Sequence, residues 1–192
     1  DAGHGGHDPG NLGYRKKAKE KDVVLAIAKK LGYYIEQGLP GVEVIYTRET
    51  DEFIDLDERG SIANRAEADL FVSIHADAWH QSSVRGASVF FLGLDKNNRS
   101  FEAMKEENQI YSDHEVVQDL SEEDLIIYEL AHSGNIANSE RIAYMVEDQL
   151  KNRAQRKSRG VKTKGLAVLY QSTMPAILVE TGFLTNPSDL RF

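Results

Sequence analysis

The sequence contains no cysteine, no excess of positive charge and no long hydrophobic run, and each absence excludes a class of protein. Without cysteine, neither a disulfide framework nor a thiolate metal site can form, and the composition suits oxidising and cytosolic compartments equally. The formal net charge of -8 argues against a surface that binds nucleic acid by neutralising phosphates. No apolar stretch approaches the roughly 20 residues of a membrane-spanning helix, so we expect no nucleic-acid partner and no transmembrane segment.

The length and hydrophobic content are those of one ordinary globular domain. With 192 residues, of which 41% are hydrophobic, the chain is long enough to bury a proper core. We therefore expect a single domain over residues 1–192. Asp1 lies inside what resembles the end of a strand, so we also expect that further residues precede it in the protein.

Apolar periodicity along the chain predicts an α/β fold. Helical spacing covers residues 20–37, 56–68 and 136–154. Short apolar or β-branched runs predict strands at 42–46, 70–74, 86–92, 166–170 and 176–180, and residues 181–187 are predicted as a loop. Strands separated by helices predict a twisted, mostly parallel or mixed sheet with helices on both faces. In such sheets the functional groups gather at strand ends.

Two segments carry charge of predominantly one sign. Between Glu102 and Glu129 ten acidic residues accompany a single basic one, whereas Lys151–Lys164 contains seven basic residues and no acidic one. We expect the acidic segment to belong to an insertion over about residues 98–134 with amphipathic helical pieces. A long insertion of this kind is either a lid or regulatory element or a disordered decoration. The simplest interpretation of the basic segment is a solvated face.

Four polar residues at the ends of predicted elements form a candidate hydrolytic site. They are His4 in the glycine-rich opening, Glu20 at the start of the first helix, His75 after an apolar strand and Glu180 after the last strand. Two histidines and one carboxylate can hold Zn²⁺ and leave a coordination position for water or a substrate carbonyl. Glu180 could then carry the water proton to the leaving nitrogen. The spacing matches no short local zinc motif, and a first-turn glutamate is also favoured by the helix dipole alone.

Four separated motifs in the sequence contain the four residues of this candidate site. They are Asp1-Ala2-Gly3-His4-Gly5-Gly6, Glu20-Lys21-Asp22, Ser73-Ile74-His75-Ala76-Asp77 and the stretch from Leu178 to Asn186, in this order. The set resembles the zinc-dependent N-acetylmuramoyl-L-alanine amidases nearly from end to end. The resemblance implies that His4, Glu20 and His75 bind zinc and that Glu180 is the catalytic glutamate. It also implies hydrolysis of the amide between N-acetylmuramic acid and L-alanine in peptidoglycan.

The acidic insertion resembles the extra helical segment of Gram-negative cell-division amidases. In that subgroup a helix covers the active site, and one of its acidic residues occupies the zinc until a divisome activator displaces it. The resemblance implies this autoinhibitory role for Glu107, with Glu106 and Asp77 as alternative candidates. It further implies septal wall splitting, a periplasmic location and an activator protein as a partner. The simpler alternative is that these acidic residues only solvate an exposed helix.

Two functions from other classes stay open at this point. Another zinc hydrolase on a related scaffold, such as an exopeptidase, would need a recognition site for a free peptide terminus, and we identify none in the sequence. A wall-binding module could keep the fold without the reaction, although the intact set of His4, Glu20, His75 and Glu180 argues against it. Metal content and digestion products distinguish the three functions.

Overall fold

A computed structural model describes residues 1–14, 18–92, 122–164 and 166–191, with only the backbone described for residues 122–132. The elements in chain order are α1 (Glu20–Gly38), α2 (Leu56–Arg65), β1 (Phe71–Asp77), β2 (Ala87–Phe91), α3 (Glu122–Asn152), β3 (Ser158–Thr163), α4 (Ala167–Tyr170), β4 (Ala176–Phe183) and a 3-10 helix, Asp189–Arg191. Among the helices of these ranges, none has the length and apolar character needed to cross a membrane.

The strands form one mixed sheet in the order β1-β4-β2-β3. β1 is parallel to β4, β4 is antiparallel to β2, and β2 is parallel to β3. Ala2 forms an isolated parallel bridge with Ile74, so the glycine-rich opening of the chain begins beside the free edge of β1. The predicted α/β class and mixed sheet are therefore confirmed.

Helices cover both faces of this sheet, as predicted. On one face Phe71 and Leu178 share a core cluster with Ala63 of α2 and with Val168 and Leu169 of α4. This clustering follows from the strand period of two, because alternate side chains of β1 and β4 point to the same face.

The opposite face is buried by the two longer helices. Val24 and Ala28 of α1 pack in a cluster with Ile74 of β1. Ala143 of α3 is fully buried against the part of the sheet that includes Val89. α1 is amphipathic at three- and four-residue spacing, and this stripe is what holds its first residue, Glu20, over the end of the sheet.

The strand predicted at residues 42–46 is wrong, because this segment forms no ladder hydrogen bonds with the described chain. Its alternating, β-branched composition favours an extended backbone, but a strand also requires a hydrogen-bonded neighbour. The side chains of Val42 and Ile45 are accordingly exposed. Tyr46 instead directs its phenol against Gly32 of α1.

The strand predicted at residues 166–170 is also wrong, since Ala167–Tyr170 is the short helix α4. A brief apolar run has no periodicity that separates a buried strand from a buried helix. Leu166, Val168 and Leu169 are buried in the core in either case. Residues 181–183, predicted as part of a loop, continue strand β4.

Strand β3 lies in the basic segment, where no strand was predicted. Its sequence contains one large apolar residue, Val161, and its side chains are half-buried or exposed. Charged residues on an edge strand oppose pairing with other chains. A strand with so few apolar residues also lacks the alternating apolar pattern from which strands are predicted. The helix predicted at 136–154 is α3, which begins earlier, at Glu122. The proposed insertion at 98–134 lies outside the described residues up to Ser121.

Candidate metal centre

Three side chains predicted from separate motifs converge at one end of the sheet. His4 comes from the glycine-rich opening, Glu20 is the first residue of α1, and His75 belongs to β1. One ligand atom of each lies within 4.8 Å of those of the other two. His4 Nε2 is 3.2 Å from Glu20 Oε2, and His75 Nδ1 is 3.1 Å from Glu20 Oε1. Two imidazoles and one carboxylate in this arrangement could hold a metal ion.

Glu20 is held rigidly by the backbone around it. Its side chain is 1% exposed, and each carboxylate oxygen accepts one backbone hydrogen bond. Ala76 N donates to Oε1 at 2.9 Å, and Asn11 N donates to Oε2 at 2.8 Å. The helix start, strand β1 and the glycine-rich loop are therefore tied together by one carboxylate.

Asp8 orients the ring of His4 from the side opposite to Glu20. Asp8 Oδ2 lies 2.7 Å from His4 Nδ1, and Asp8 Oδ1 accepts a hydrogen bond from Gly10 N at 2.9 Å. A carboxylate that accepts the Nδ1 proton fixes the tautomer in which Nε2 is the ligand atom. This role of Asp8 was not predicted from the sequence. The available signal was a carboxylate four residues after a histidine in a glycine-rich turn.

The carboxylates of the centre favour positive charge at the imidazole nitrogens. Burial by itself would raise the pKa of Glu20, but hydrogen bonds and charge from His4 and His75 lower this pKa far below its usual range. Burial opposes protonation of His4, yet the carboxylates of Asp8 and Glu20 outweigh it and raise the pKa of His4 to about 9. The hydrogen bond from His4 likewise lowers the pKa of Asp8 against the effect of burial. A buried carboxylate, Glu20, and a half-buried one, Asp8, beside imidazole nitrogens are a donor set that fits a bound metal cation.

The backbone at His4 is held in an unusual conformation. His4 has φ 59°, a left-handed value that a non-glycine residue adopts at a cost of about 1 kcal/mol or more. Arg59 Nη2 donates to the carbonyl of His4 at 2.9 Å, and Arg48 Nη2 donates to the carbonyl of Gly3 at 2.8 Å. Two guanidinium groups therefore hold the backbone of the glycine-rich loop in place through its carbonyl groups.

Arg48 and Arg59 brace this loop, and both residues are 2% exposed. Arg48 also donates to the carbonyls of Ala2 and Lys21, and Arg59 donates to the carbonyls of Ala2 and Ile54. These fork-shaped contacts use the planar donor geometry that distinguishes arginine from lysine.

Gly3 and Gly10 leave space for the side chains of the three-residue cluster. A Cβ at Gly3 would lie 2.3 Å from Cε1 of His75. A Cβ at Gly10 would lie 2.6 Å from Cδ2 of His4 and 2.8 Å from Oε2 of Glu20, and Gly10 has φ +62°. Any larger residue at these positions would displace a side chain of this cluster.

Glu180 lies beside the three-residue cluster. It is the direct partner of His75 in the parallel pairing of β1 with β4, so both side chains leave the same face of the sheet. Thr181 Oγ1 donates to the carbonyl of His75 at 2.9 Å, which reinforces this register. The structure therefore brings all four predicted residues to one end of the sheet.

Of the acidic residues that are candidates for blocking the metal, Asp77 lies among the described residues. Glu106 and Glu107 lie outside the described residues. Asp77 follows His75 by two positions in β1, and it does not belong to the three-residue cluster. Its burial, together with the charge of Glu20, raises the pKa of Asp77.

Comparison with known proteins agrees with this geometry. A family model described as N-acetylmuramoyl-L-alanine amidase matches residues 1–192. The N-acetylmuramoyl-L-alanine amidase AmiA of Escherichia coli (strain K12) is 34% identical over 195 residues, which cover 100% of this chain and 66% of AmiA. The chain thus corresponds to only part of that relative's length.

Two solved structures share the whole fold. The N-acetylmuramoyl-L-alanine amidase from Clostridium difficile 630 is 27% identical with a TM-score of 0.73, and the match covers 100% of this chain and 81% of that structure. The CwlD amidase from Clostridioides difficile, solved in complex with the GerS lipoprotein, is 26% identical with a TM-score of 0.63. That match covers 100% of this chain and 84% of CwlD.

Proposed function

Because the chain belongs to the N-acetylmuramoyl-L-alanine amidase family, we propose that it hydrolyses the amide bond between N-acetylmuramic acid and L-alanine in peptidoglycan. The observation that carries this proposal is the convergence of His4, Glu20 and His75, with Glu180 paired beside His75. On this proposal residues 1–192 are the catalytic domain. Peptidoglycan is the substrate, and the reaction releases peptides from glycan strands.

His4, Glu20 and His75 are the residues that would hold Zn²⁺. Three protein ligands of this type are the usual number in catalytic zinc sites. A Zn²⁺ ion in this position supplies a Lewis acid that polarises a carbonyl and promotes the ionisation of water. Asp8 supports the centre by keeping His4 Nε2 directed at Glu20.

Glu180 is the group that manages protons. Its carboxylate accepts a proton from the attacking water, whose oxygen forms a bond to the lactyl carbonyl carbon. As the carbon–nitrogen bond breaks, Glu180 delivers this proton to the nitrogen of L-alanine, which leaves as an amine. The sugar retains a lactyl carboxylate. A single positioned acid and base of this kind contributes roughly 10²- to 10⁴-fold to a rate.

The test is digestion of purified peptidoglycan by the zinc-loaded protein. We expect new L-alanine amino termini and intact glycan strands, and we expect Glu180→Gln to reduce the rate roughly 10²- to 10⁴-fold while it keeps its zinc. The matched control is Glu140→Gln, an equal change at an exposed position of α3. Unchanged activity of Glu180→Gln would remove Glu180 from the mechanism.

The same experiment separates the two other functions. An exopeptidase would release terminal amino acids rather than whole peptides with L-alanine at the amino terminus. A wall-binding module would leave peptidoglycan unchanged, whether or not it held zinc. The four converging residues favour the amidase over the binding module, because a binding role alone does not require them.

Autoinhibition by the acidic insertion is a further part of the proposal. Glu107 would occupy the metal in the resting protein, and a carboxylate there would exclude both water and substrate. Support comes from the acidic composition of this segment and its resemblance to the cell-division subgroup. Glu107→Gln should raise basal hydrolysis, with Glu102→Gln as the matched control in the same segment. Equal basal rates in the two variants and the parent would refute the role of Glu107.

An activator protein and a periplasmic location complete the proposed function. An autoinhibited hydrolase requires a partner that releases it, and septal wall splitting would supply this partner from the divisome. The complex of CwlD with a lipoprotein supports the idea that amidases of this fold bind protein partners. Similarity to AmiA of Escherichia coli supports a Gram-negative periplasm as the compartment where the substrate is met.

A further inference from the structure

Lys162 of the basic edge strand β3 lies on the face of the sheet that carries Glu180. Glu180 pairs across the sheet with Ser88 of β2, and Ser88 is buried. Lys162 Nζ donates to Ser88 Oγ at 3.5 Å and lies 5.5 Å from the ring centre of Phe90. Phe90 and Lys162 are paired between β2 and β3, so Lys162 leaves the same face of the sheet as Glu180.

Arg159 is the second cation, and it is also fixed by an aromatic ring. Its Cζ lies 5.0 Å from the ring centre of Phe183, and Phe183 pairs with Asp77 in β1. A cation over an aromatic face is attracted by the ring quadrupole, which limits the positions that a long side chain samples. Both Arg159 and Lys162 remain exposed.

These cations are electrostatically coupled to the catalytic end of the sheet. Burial and the charge of Arg159 lower the pKa of Lys162, while Asp77 and Glu180 act in the opposite direction. The ammonium of Lys162 lies at Ser88 of the neighbouring strand β2 and interacts electrostatically with Glu180.

The order of groups across the sheet indicates which part of the substrate meets these cations. His75, Glu180 and Ser88 occupy successive strands, and the ammonium of Lys162 lies at Ser88. Glu180, in the proposed function, protonates the nitrogen that leaves with the peptide. In that function the carbonyl lies at the cluster of His4, Glu20 and His75 and the nitrogen lies at Glu180, so the peptide extends from Glu180 on the side away from His75.

The two products differ in charge in a way that matches this arrangement. An N-acetylated glycan strand has no ionised group beyond the new lactyl carboxylate, whereas the peptide carries at least its terminal carboxylate. β3 lies two strand spacings from β4, or about 10 Å. An extended peptide covers this distance in about three residues.

We propose that Lys162 and Arg159 form a subsite that binds a carboxylate near the third residue of the substrate peptide. This inference rests on the proposed function for the identity of the substrate. Lys162 supplies a point charge, and Arg159 supplies a planar donor pair suited to a carboxylate. Both are binding residues that fix the peptide while Glu180 acts on its amino end.

The test compares two probes that differ only at the peptide terminus. They are N-acetylmuramoyl-L-alanyl-glycyl-glycine with a free carboxylate and the same compound as its terminal amide. Binding is measured by calorimetry in zinc-loaded Glu180→Gln protein, in which turnover is slow, so that affinity is obtained without relying on activity. We expect the free acid to bind roughly tenfold more tightly, the ratio for one charged hydrogen bond partly exposed to water.

Variants assign this preference to the two cations. In the same protein, Lys162→Gln and Arg159→Gln should each reduce the ratio several-fold, and Lys162→Arg should keep most of it. Lys151→Gln removes an equal charge from the exposed end of α3 and should leave the ratio unchanged. A ratio near one before substitution, or a ratio that both glutamine variants leave intact, would overturn the subsite.

Turnover by the protein with Glu180 intact separates this inference from the proposed function. If the free acid binds more tightly but no peptide is ever released, the amidase function fails and the carboxylate subsite stands. If both probes are cleaved with equal KM, the subsite fails and the amidase stands. A shift of the pH profile in Lys162→Gln that is equal for both probes would mean that Lys162 acts through Glu180, and it would also refute the subsite.

Discussion

Replacing Asp8 by asparagine should weaken metal binding without removing a ligand. Asp8 Oδ2 lies 2.7 Å from His4 Nδ1, and the two side chains are each 11% exposed. A charge-assisted hydrogen bond in such a position is worth about 1.5 to 3 kcal/mol. Asparagine has nearly the same shape but only one acceptor oxygen, so it can accept from His4 Nδ1 or from Gly10 N but not from both, and the negative charge is lost. Zinc affinity should fall roughly 10- to 100-fold, the usual effect of losing such an outer partner.

The loss of zinc affinity caused by Asp8→Asn should depend on the pH of the measurement. Without metal the pKa of His4 is raised to about 9, so at pH 7 a proton competes with the metal for Nε2. Asp8→Asn weakens the metal site but also weakens this competitor, and the two effects oppose each other. Above pH 9 the competition disappears. The ratio of zinc dissociation constants between variant and parent should therefore be larger at pH 9 than at pH 7.

Competition with a chromogenic zinc chelator measures these constants directly. Asp51→Asn is the matched control, because Asp51 also accepts a backbone hydrogen bond in this region, from Gly6 N. It lies on an exposed loop, pairs with Lys21 and contacts no ligand side chain. Dissociation constants for Asp8→Asn within twofold of the parent at pH 9 would show that Asp8 does not support His4 as argued.

Three other changes test the construction of the centre. Gly3→Ala should abolish stoichiometric zinc in the purified protein, because the added Cβ would lie 2.3 Å from the ring of His75; full zinc content by elemental analysis would contradict this. Arg59→Lys keeps the charge but loses the fork that binds the loop carbonyls, so the denaturant midpoint should fall by the equivalent of about 2 to 4 kcal/mol. Arg65→Lys on the exposed side of α2 should change stability by less than about 0.5 kcal/mol, and equal losses in the two variants would refute the bracing role. In metal-free protein the raised pKa of His4 contributes stability that is complete below pH 6.5 and lost as the pH rises through about 9, at most about 3 kcal/mol. Thermal melts across this range should show the fall in the parent and not in a His4→Gln variant, and a parallel fall in both would assign it to other groups.

The sequence predicts His4, Glu20 and His75 as neighbours in space, as the structure has them, because each is marked by its immediate neighbours in the chain. Glycines around His4, the start of a helical period at Glu20 and the apolar run before His75 are all local signals. Their convergence is a consequence of topology, since β1 and β4 are parallel neighbours and their ends meet at one edge. The α/β pattern therefore predicts both the fold and the position of the centre.

Roles that depend on long-range contact are much harder to predict. The guanidinium groups of Arg48 and Arg59 lie under a loop more than forty residues away in sequence, and neither arginine stands in a motif that indicates burial. Asp8 is close to His4 in sequence, but only the turn geometry brings its carboxylate to Nδ1. A polar side chain acquires such a role from the backbone that folds around it, and apolar periodicity carries no information about that.

Strand β3 is a second case in which contacts between distant segments, and not local composition, decide where a side chain lies. A run of basic residues with a single large apolar side chain predicts a solvated surface, and β3 is indeed an exposed edge. Pairing with β2 nevertheless turns Lys162 toward Ser88 and the face that carries Glu180. Strand register decides which basic side chains of β3 lie on the face of the sheet that carries Glu180, because a shift of one residue would reverse every side chain. The proposed carboxylate subsite therefore lies in a segment whose composition indicates only a solvated surface.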